Sequence, residues 1–191
     1  MKKHVLLAFL IGLVSFSFAQ KRAFIGISQN AISLGNPLAK GPIQPGIDVG
    51  IARMLNDHPR VRWFQTYRLG ITHQRDIQTS IPIYSELGFR YILGSSGFAI
   101  GPQLGLGYLH AISASPTVKR NDDGSYKKAF NLGRPQGMLA FTLGASYGKS
   151  NLRYFLNYQL GFQGPFVPGR APLLPTTTLR AGVSFSFKKS E

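Results

Sequence analysis

At 191 residues the chain has room for one domain and little more. It carries 22 Lys plus Arg against seven acidic residues, a formal +15, which raises nucleic acid, anionic membrane surfaces and acidic polymers as partners. The absence of cysteine excludes disulfides, thiolate chemistry and a lipid anchor on an N-terminal cysteine, and a mean hydropathy near zero is too apolar for a basic disordered tail and too polar for a helical membrane protein.

The N-terminus reads as an export signal. Lys2 and Lys3 form a positive start, Val5 to Val14 an apolar run, and Ser17 and Ala19 place small residues before a cut after Ala19. The pattern predicts a cleaved signal peptide over 1–19 and a barrel domain over 20–191. Cleavage removes Lys2 and Lys3 and lowers the net charge from +15 to +13. The apolar run is short for an uncleaved anchor, and no later stretch offers about 18 uninterrupted apolar residues. A secreted or periplasmic soluble protein and a strand-built membrane protein remain. Export, and basic residues scattered over strands and loops, argue against nucleic acid as partner.

The mature chain alternates with a period of two far more often than 3.6. Residues 22–30 alternate loosely. Ile47, Val49 and Ile51 then alternate with Asp48, Gly50 and Ala52. From Val61 to Thr72, Tyr67, Leu69 and Ile71 oppose Thr66, Arg68, Gly70 and Thr72, but Phe64 and Gln65 break the parity, so a bulge or register slip is expected there. In 79–93, Ile81, Ile83, Leu87, Phe89, Tyr91 and Leu93 share a face opposite Tyr84, Glu86, Gly88 and Arg90. In 98–108, Phe98, Ile100, Leu104, Leu106 and Tyr108 oppose Ala99, Gly101, Gln103, Gly105 and Gly107. Segment 138–147 sets Leu139, Phe141, Leu143, Ala145 and Tyr147 against Met138, Ala140, Thr142, Gly144 and Ser146. The cleanest alternation is 151–164, with Leu152, Tyr154, Leu156, Tyr158, Leu160 and Phe162 on one face. Its other face carries Arg153, Phe155, Asn157, Gln159, Gly161 and Gln163. The last segment, 177–187, sets Leu179, Ala181, Val183, Phe185 and Phe187 against Thr178, Arg180, Gly182, Ser184 and Ser186.

These segments make eight strands, an even number that can close and abolish both sheet edges. Connections at 56–59, 94–97 and 148–150 are short. Those near 31–44, 111–135 and 165–175 are long, and one near 74–76 is short. Short turns on one side and longer loops on the other is the pattern of a membrane barrel, with the short turns periplasmic. The predicted fold is therefore all-β, an eight-stranded antiparallel transmembrane β-barrel in the cell outer membrane, against the alternative of a soluble sandwich or soluble barrel. Trp63, Phe89, Tyr91 and Tyr147 fall near short turns, where an interfacial aromatic girdle belongs, and Tyr108 and Phe162 near the other rim.

The chain resembles the small outer-membrane β-barrel families of Gram-negative bacteria, particularly of the Bacteroidetes type. The resemblance covers about 20–187 and rests on FAQ before KR, on GFRYILG, GPQLGLGY and LGASYG, and on the final LRAGVSFSF. It implies that Phe187 is the terminal aromatic read by the barrel assembly machinery, although Lys188-Lys189-Ser190-Glu191 follows where the family pattern ends.

The chemistry-bearing residues fall on the inward face. Asp48, Arg68, Glu86, Arg90, Arg153 and Arg180 are expected there as a structural lumen network, because a buried carboxylate needs a partner and the arginine fork supplies two bonds. A small anion-selective pore is the sharper alternative, opposed by the narrow interior of an eight-stranded barrel. His110, with Ser113 three residues on, invites comparison with barrel-surface lipid A deacylases, whose spacing is closer. No phosphate loop, zinc spacing or calcium loop appears, so no cofactor, metal or catalytic residue is expected. Lys119-Arg120 and Lys127-Lys128 make the third long loop basic. The expected role is structural or accessory, as a subunit of a larger envelope assembly or a membrane-stabilising protein. A small ligand-binding or transport barrel, and then a lipid hydrolase, are the alternatives. The expected partners are outer-membrane lipid, the assembly machinery during insertion and a larger protein assembly.

Overall fold

Period-two alternation puts every second side chain on one face, so each strand carries an apolar row and a polar row. A computed structural model describes residues 21–32, 43–75, 77–115, 117–120, 124–129, 131–148, 151–165 and 173–186. The strands are β1 (Lys21–Ala31), β2 (Pro45–Met54), β3 (Val61–Gln74), β4 (Gln78–Leu93), β5 (Phe98–Ser113), β6 (Thr117–Arg120), β7 (Tyr126–Ala129), β8 (Arg134–Tyr147), β9 (Leu152–Gly164) and β10 (Leu174–Ser186). The signal segment, its cleavage site and Phe187 lie outside the described residues.

Eight strands close into an antiparallel barrel in the order β1-β10-β9-β8-β5-β4-β3-β2. The closing seam between β1 and β10 runs from Arg22↔Ser186 to Ala31↔Thr177. The strand ends flanking 55–60, 94–97 and 148–151 lie at one end of the barrel, and those flanking 32–44, 75–77, 114–133 and 165–173 at the other. The 114–133 connection is more than a loop. β6 and β7 pair from Thr117↔Ala129 to Arg120↔Tyr126 as a separate hairpin. Its sequence signal is Asp123-Gly124, and Gly124 has a φ of +84°, where glycine pays no steric penalty.

The expected bulge near Phe64 and Gln65 is absent. The β2–β3 register runs unbroken from Gly46↔Thr72 to Met54↔Phe64, and β3–β4 keeps one register from Val61↔Tyr91 through Leu69↔Ile83. Phe64 continues the inward row and packs with Phe24, Ala52, Met54 and Phe155. Gln65 stands on the outer wall, where its amide donates to Ser85 Oγ at 3.1 Å. The apparent break in parity is an aromatic in the lumen and a satisfied polar pair on the wall.

The outer wall settles what surrounds the barrel. Ile27, Leu106, Leu143 and Tyr154 are 68%, 66%, 54% and 55% exposed, while Asp48, Arg68, Glu86 and Arg180 are buried. In water such a wall would be one continuous apolar patch, far beyond what soluble monomers carry. A polar, charged interior within an apolar wall is the inside-out arrangement of a transmembrane barrel. The Trp63 and Phe89 rings lie 5.3 Å apart, tilted by 49°, at the short-turn end, and Tyr147 pairs with Tyr154 across β8 and β9 there, forming an interfacial girdle. Refolded into detergent, the protein should give a β-type circular dichroism spectrum and run faster on gels unboiled than boiled. A helix-dominated spectrum would overturn the architecture.

Candidate functional site

Small inward residues make space for a few large ones. At Gly50 an added Cβ would sit 2.1 Å from the Tyr67 carbonyl oxygen and 2.4 Å from the Phe24 ring. Glycine there lets Phe24 lie across the lumen, with the Arg68 guanidinium 4.3 Å above its ring.

The central layer of the lumen is built around two carboxylates. Glu86 on β4 is wholly buried. Its Oε2 accepts from Arg68 Nε at 2.6 Å and Thr66 Oγ1 at 3.3 Å, and its Oε1 from Thr142 Oγ1 at 2.7 Å and Gln159 Nε2 at 3.3 Å. Asp48 Oδ2 on β2 accepts from Arg68 Nη1 at 2.9 Å. Asp48 Oδ1 lies 2.6 Å from Arg180 Nε on β10, a close charge contact that is off-axis for a hydrogen bond. Arg180 Nη2 donates to the Tyr84 hydroxyl at 2.9 Å. Two guanidiniums thus face two carboxylates, and the layer is neutral. Charges removed from water in this way demand pairing of this kind.

Asp48, Arg68, Glu86 and Arg180 are therefore brought together, whereas Arg90 and Arg153 are not. Arg90 shares the inward face with Glu86 but stands four residues along β4, about 13 Å at the usual rise per residue. It donates to Met54 Sδ at 3.2 Å and stacks 4.6 Å over Phe64. Arg153 donates to Ser146 Oγ at 3.5 Å and the Gly148 carbonyl at 3.3 Å. Both belong to the short-turn end of the lumen. A shared face does not mean a shared layer.

The central layer stands between two small cavities. One of about 70 Å³ opens towards the short-turn end and is lined by Arg22, Phe64, Arg90, Arg153 and Phe155 among others. One of about 50 Å³ lies towards the long-loop end, lined by Asn30, Gln74, Gln163 and Thr178. A larger apolar groove of about 560 Å³ lies on the outer wall between Trp63, Phe89, Pro102, Leu104 and Leu106.

His110 lies on the wall near the long-loop rim. Its Nδ1 meets the Tyr108 hydroxyl at 2.9 Å and its Nε2 the Leu132 carbonyl at 2.8 Å. The Ser113 hydroxyl instead accepts from the Ser115 N–H at 3.3 Å. Both ring nitrogens are engaged by groups other than serine, so His110 and Ser113 do not form a nucleophile–base pair. Among the described residues no cluster of three His, Asp or Glu could hold a metal ion.

The residues that sequence reasoning left out are Tyr84 as a hydrogen-bonding partner, Thr142 and Gln159 as carboxylate donors, and Arg22 and Arg62 at the short-turn end. Parity placed the first three inward without a role. Extending the inward row of β3 back from Phe64 would have found Arg62.

No family model matches the sequence, and no curated protein matches it as a relative. Among solved structures, the Neisserial surface protein A superposes with a TM-score of 0.51 at 15% identity, covering 87% of this chain and 96% of that one. The attachment invasion locus protein of Yersinia pestis gives 0.47 at 11% identity, covering 88% and 99%. The chain has the fold of a small eight-stranded outer-membrane barrel. At these identities the likeness speaks of fold and of nothing finer.

Proposed function

We propose that this chain is an exported outer-membrane barrel of the Bacteroidetes type with a structural or accessory role. In this reading the signal is cut after Ala19, residues 20–191 form the mature domain and the short turns face the periplasm. The barrel steadies the membrane or serves as a subunit of a larger envelope assembly. The observation that carries it is the closed central layer. Asp48, Arg68, Glu86 and Arg180 span the lumen as paired charges, and a solute would have to break buried ion pairs to pass. That layer favours a lumen serving rigidity over one serving conduction, and leaves the wall and loops as the working surfaces. Its partners in this reading are outer-membrane lipid, the assembly machinery during insertion and a neighbouring envelope protein.

Two measurements test it. Reconstituted into planar bilayers, the pure protein should show no steady conductance, and stable ohmic channels would overturn the reading. Extracted from its native envelope in mild detergent, it should migrate on native gels either with a stoichiometric larger partner or as an abundant monomer whose deletion weakens the envelope. A monomer whose deletion leaves detergent sensitivity unchanged would count against both roles.

A further inference from the structure

The short-turn end of the lumen gathers positive charge that no described ion pair neutralises. Arg62 on β3 is the direct cross-strand partner of Arg90 on β4. Arg90, Arg153 and Arg22 line the same cavity of about 70 Å³. Like charges directly opposite one another destabilise a sheet pair unless something lies between them.

No described carboxylate offsets them. Asp48 and Glu86 are committed to Arg68 and Arg180 in the central layer. Asp57 is exposed in the 55–60 turn. Asp76, Asp122, Asp123 and Glu191 lie outside the described residues. The arginines also keep donors in reserve. The Nε atoms of Arg62 and Arg90 are buried without a hydrogen-bond partner. Buried donors of this kind are open to a water, an ion or another acceptor. Arg22 already donates to the Ser184 carbonyl and to the Asn151 carbonyl.

We propose that this mouth is an oxyanion site in which Arg90 and Arg153 hold one phosphate group, free or as a phospholipid headgroup, with Arg62 beside Arg90 adding to the positive field. Guanidinium forks suit the tetrahedral oxygens of phosphate through paired N–H donors. At about 70 Å³ the cavity matches a single such group, with whatever the phosphate carries left outside the mouth. Its aromatic floor of Phe64 and Phe155 lowers the local dielectric and strengthens each charged contact. In the reading of the short turns as periplasmic, the mouth opens at the level of the inner-leaflet headgroups.

The test uses the folded protein in dodecyl maltoside and phosphate-free buffer, titrated calorimetrically with inorganic phosphate and separately with dihexanoyl phosphatidylglycerol. At least one should bind saturably and raise the melting temperature. Arg90→Met, and independently Arg153→Gln, should weaken that binding by about tenfold or more, as expected for losing a charged hydrogen bond. Lys127→Gln, at an exposed position on β7, should leave it unchanged. Binding of inorganic phosphate identifies the free ion as a source, and binding of the lipid alone identifies the headgroup. Without phosphate, Arg90→Met should be at least as stable as the parent, because it removes a charge facing Arg62 that no described carboxylate offsets. Absence of binding by either probe, or binding unaltered in both arginine variants, would overturn the proposal.

Discussion

Replacing Glu86 with leucine should destabilise the barrel by about 3–5 kcal/mol, the usual cost of removing one partner from a buried ion pair. Glu86 is the acceptor for four side chains on three other strands: Thr66 and Arg68 on β3, Thr142 on β8 and Gln159 on β9. Its loss leaves Asp48 as the only carboxylate between Arg68 and Arg180. The double variant Glu86→Leu with Arg68→Met should recover most of the loss. It replaces a charge pair with apolar groups of similar size and leaves the Asp48–Arg180 contact intact. Urea unfolding in lipid vesicles, followed through the fluorescence of the single tryptophan, Trp63, measures both. A single variant within about 0.5 kcal/mol of the parent would show that the layer contributes no more than an ordinary surface position.

The two faces of each strand were legible in the sequence because alternation is a property of one strand alone. On β9 every predicted inward residue from Asn157 to Gln163 on the odd positions is buried. Which inward residues meet was not legible. Asp48 on β2 and Arg180 on β10 are separated by β1 in the sheet and touch only across the curved lumen. That contact depends on tilt and stagger, which belong to the closed barrel and not to any segment. The same reason hid the division of the arginines. Arg68, Arg90, Arg153 and Arg180 look equivalent by parity, yet two neutralise carboxylates and two do not. Proline misleads in the other direction. Pro82 and Pro102 lie inside β4 and β5, where a missing N–H would normally argue against a central strand. The β3–β4 ladder lapses at 70–71 opposite Pro82 and resumes at Thr72↔Ser80 in the same register. The β4–β5 ladder lapses at 89–90 opposite Pro102 and resumes at Tyr91↔Ile100. Long flanking strands of unchanged register absorb each lost bond.

Leu104→Arg should cost about 2–4 kcal/mol in a bilayer, the penalty for arginine on the lipid face near the midplane. Leu104 lies midway along β5, is 50% exposed, and pairs with Leu87 on β4 and Phe141 on β8. An arginine there projects into hydrocarbon with no described carboxylate on the wall to meet it, and must stretch towards an interface to keep its charge wet. The same substitution on a soluble barrel would place a charge in water at a half-exposed site and change stability by no more than about 0.5 kcal/mol. The two environments predict different magnitudes at one residue. Leu104→Ala supplies the baseline, since it removes the same apolar contacts without adding charge. Unfolding titrations of both variants in vesicles therefore read the environment directly, as the gap between arginine and alanine. A gap near zero would place the wall in water. It would then leave unexplained why Ile27, Leu106 and Leu143 turn outward while Glu86 turns in.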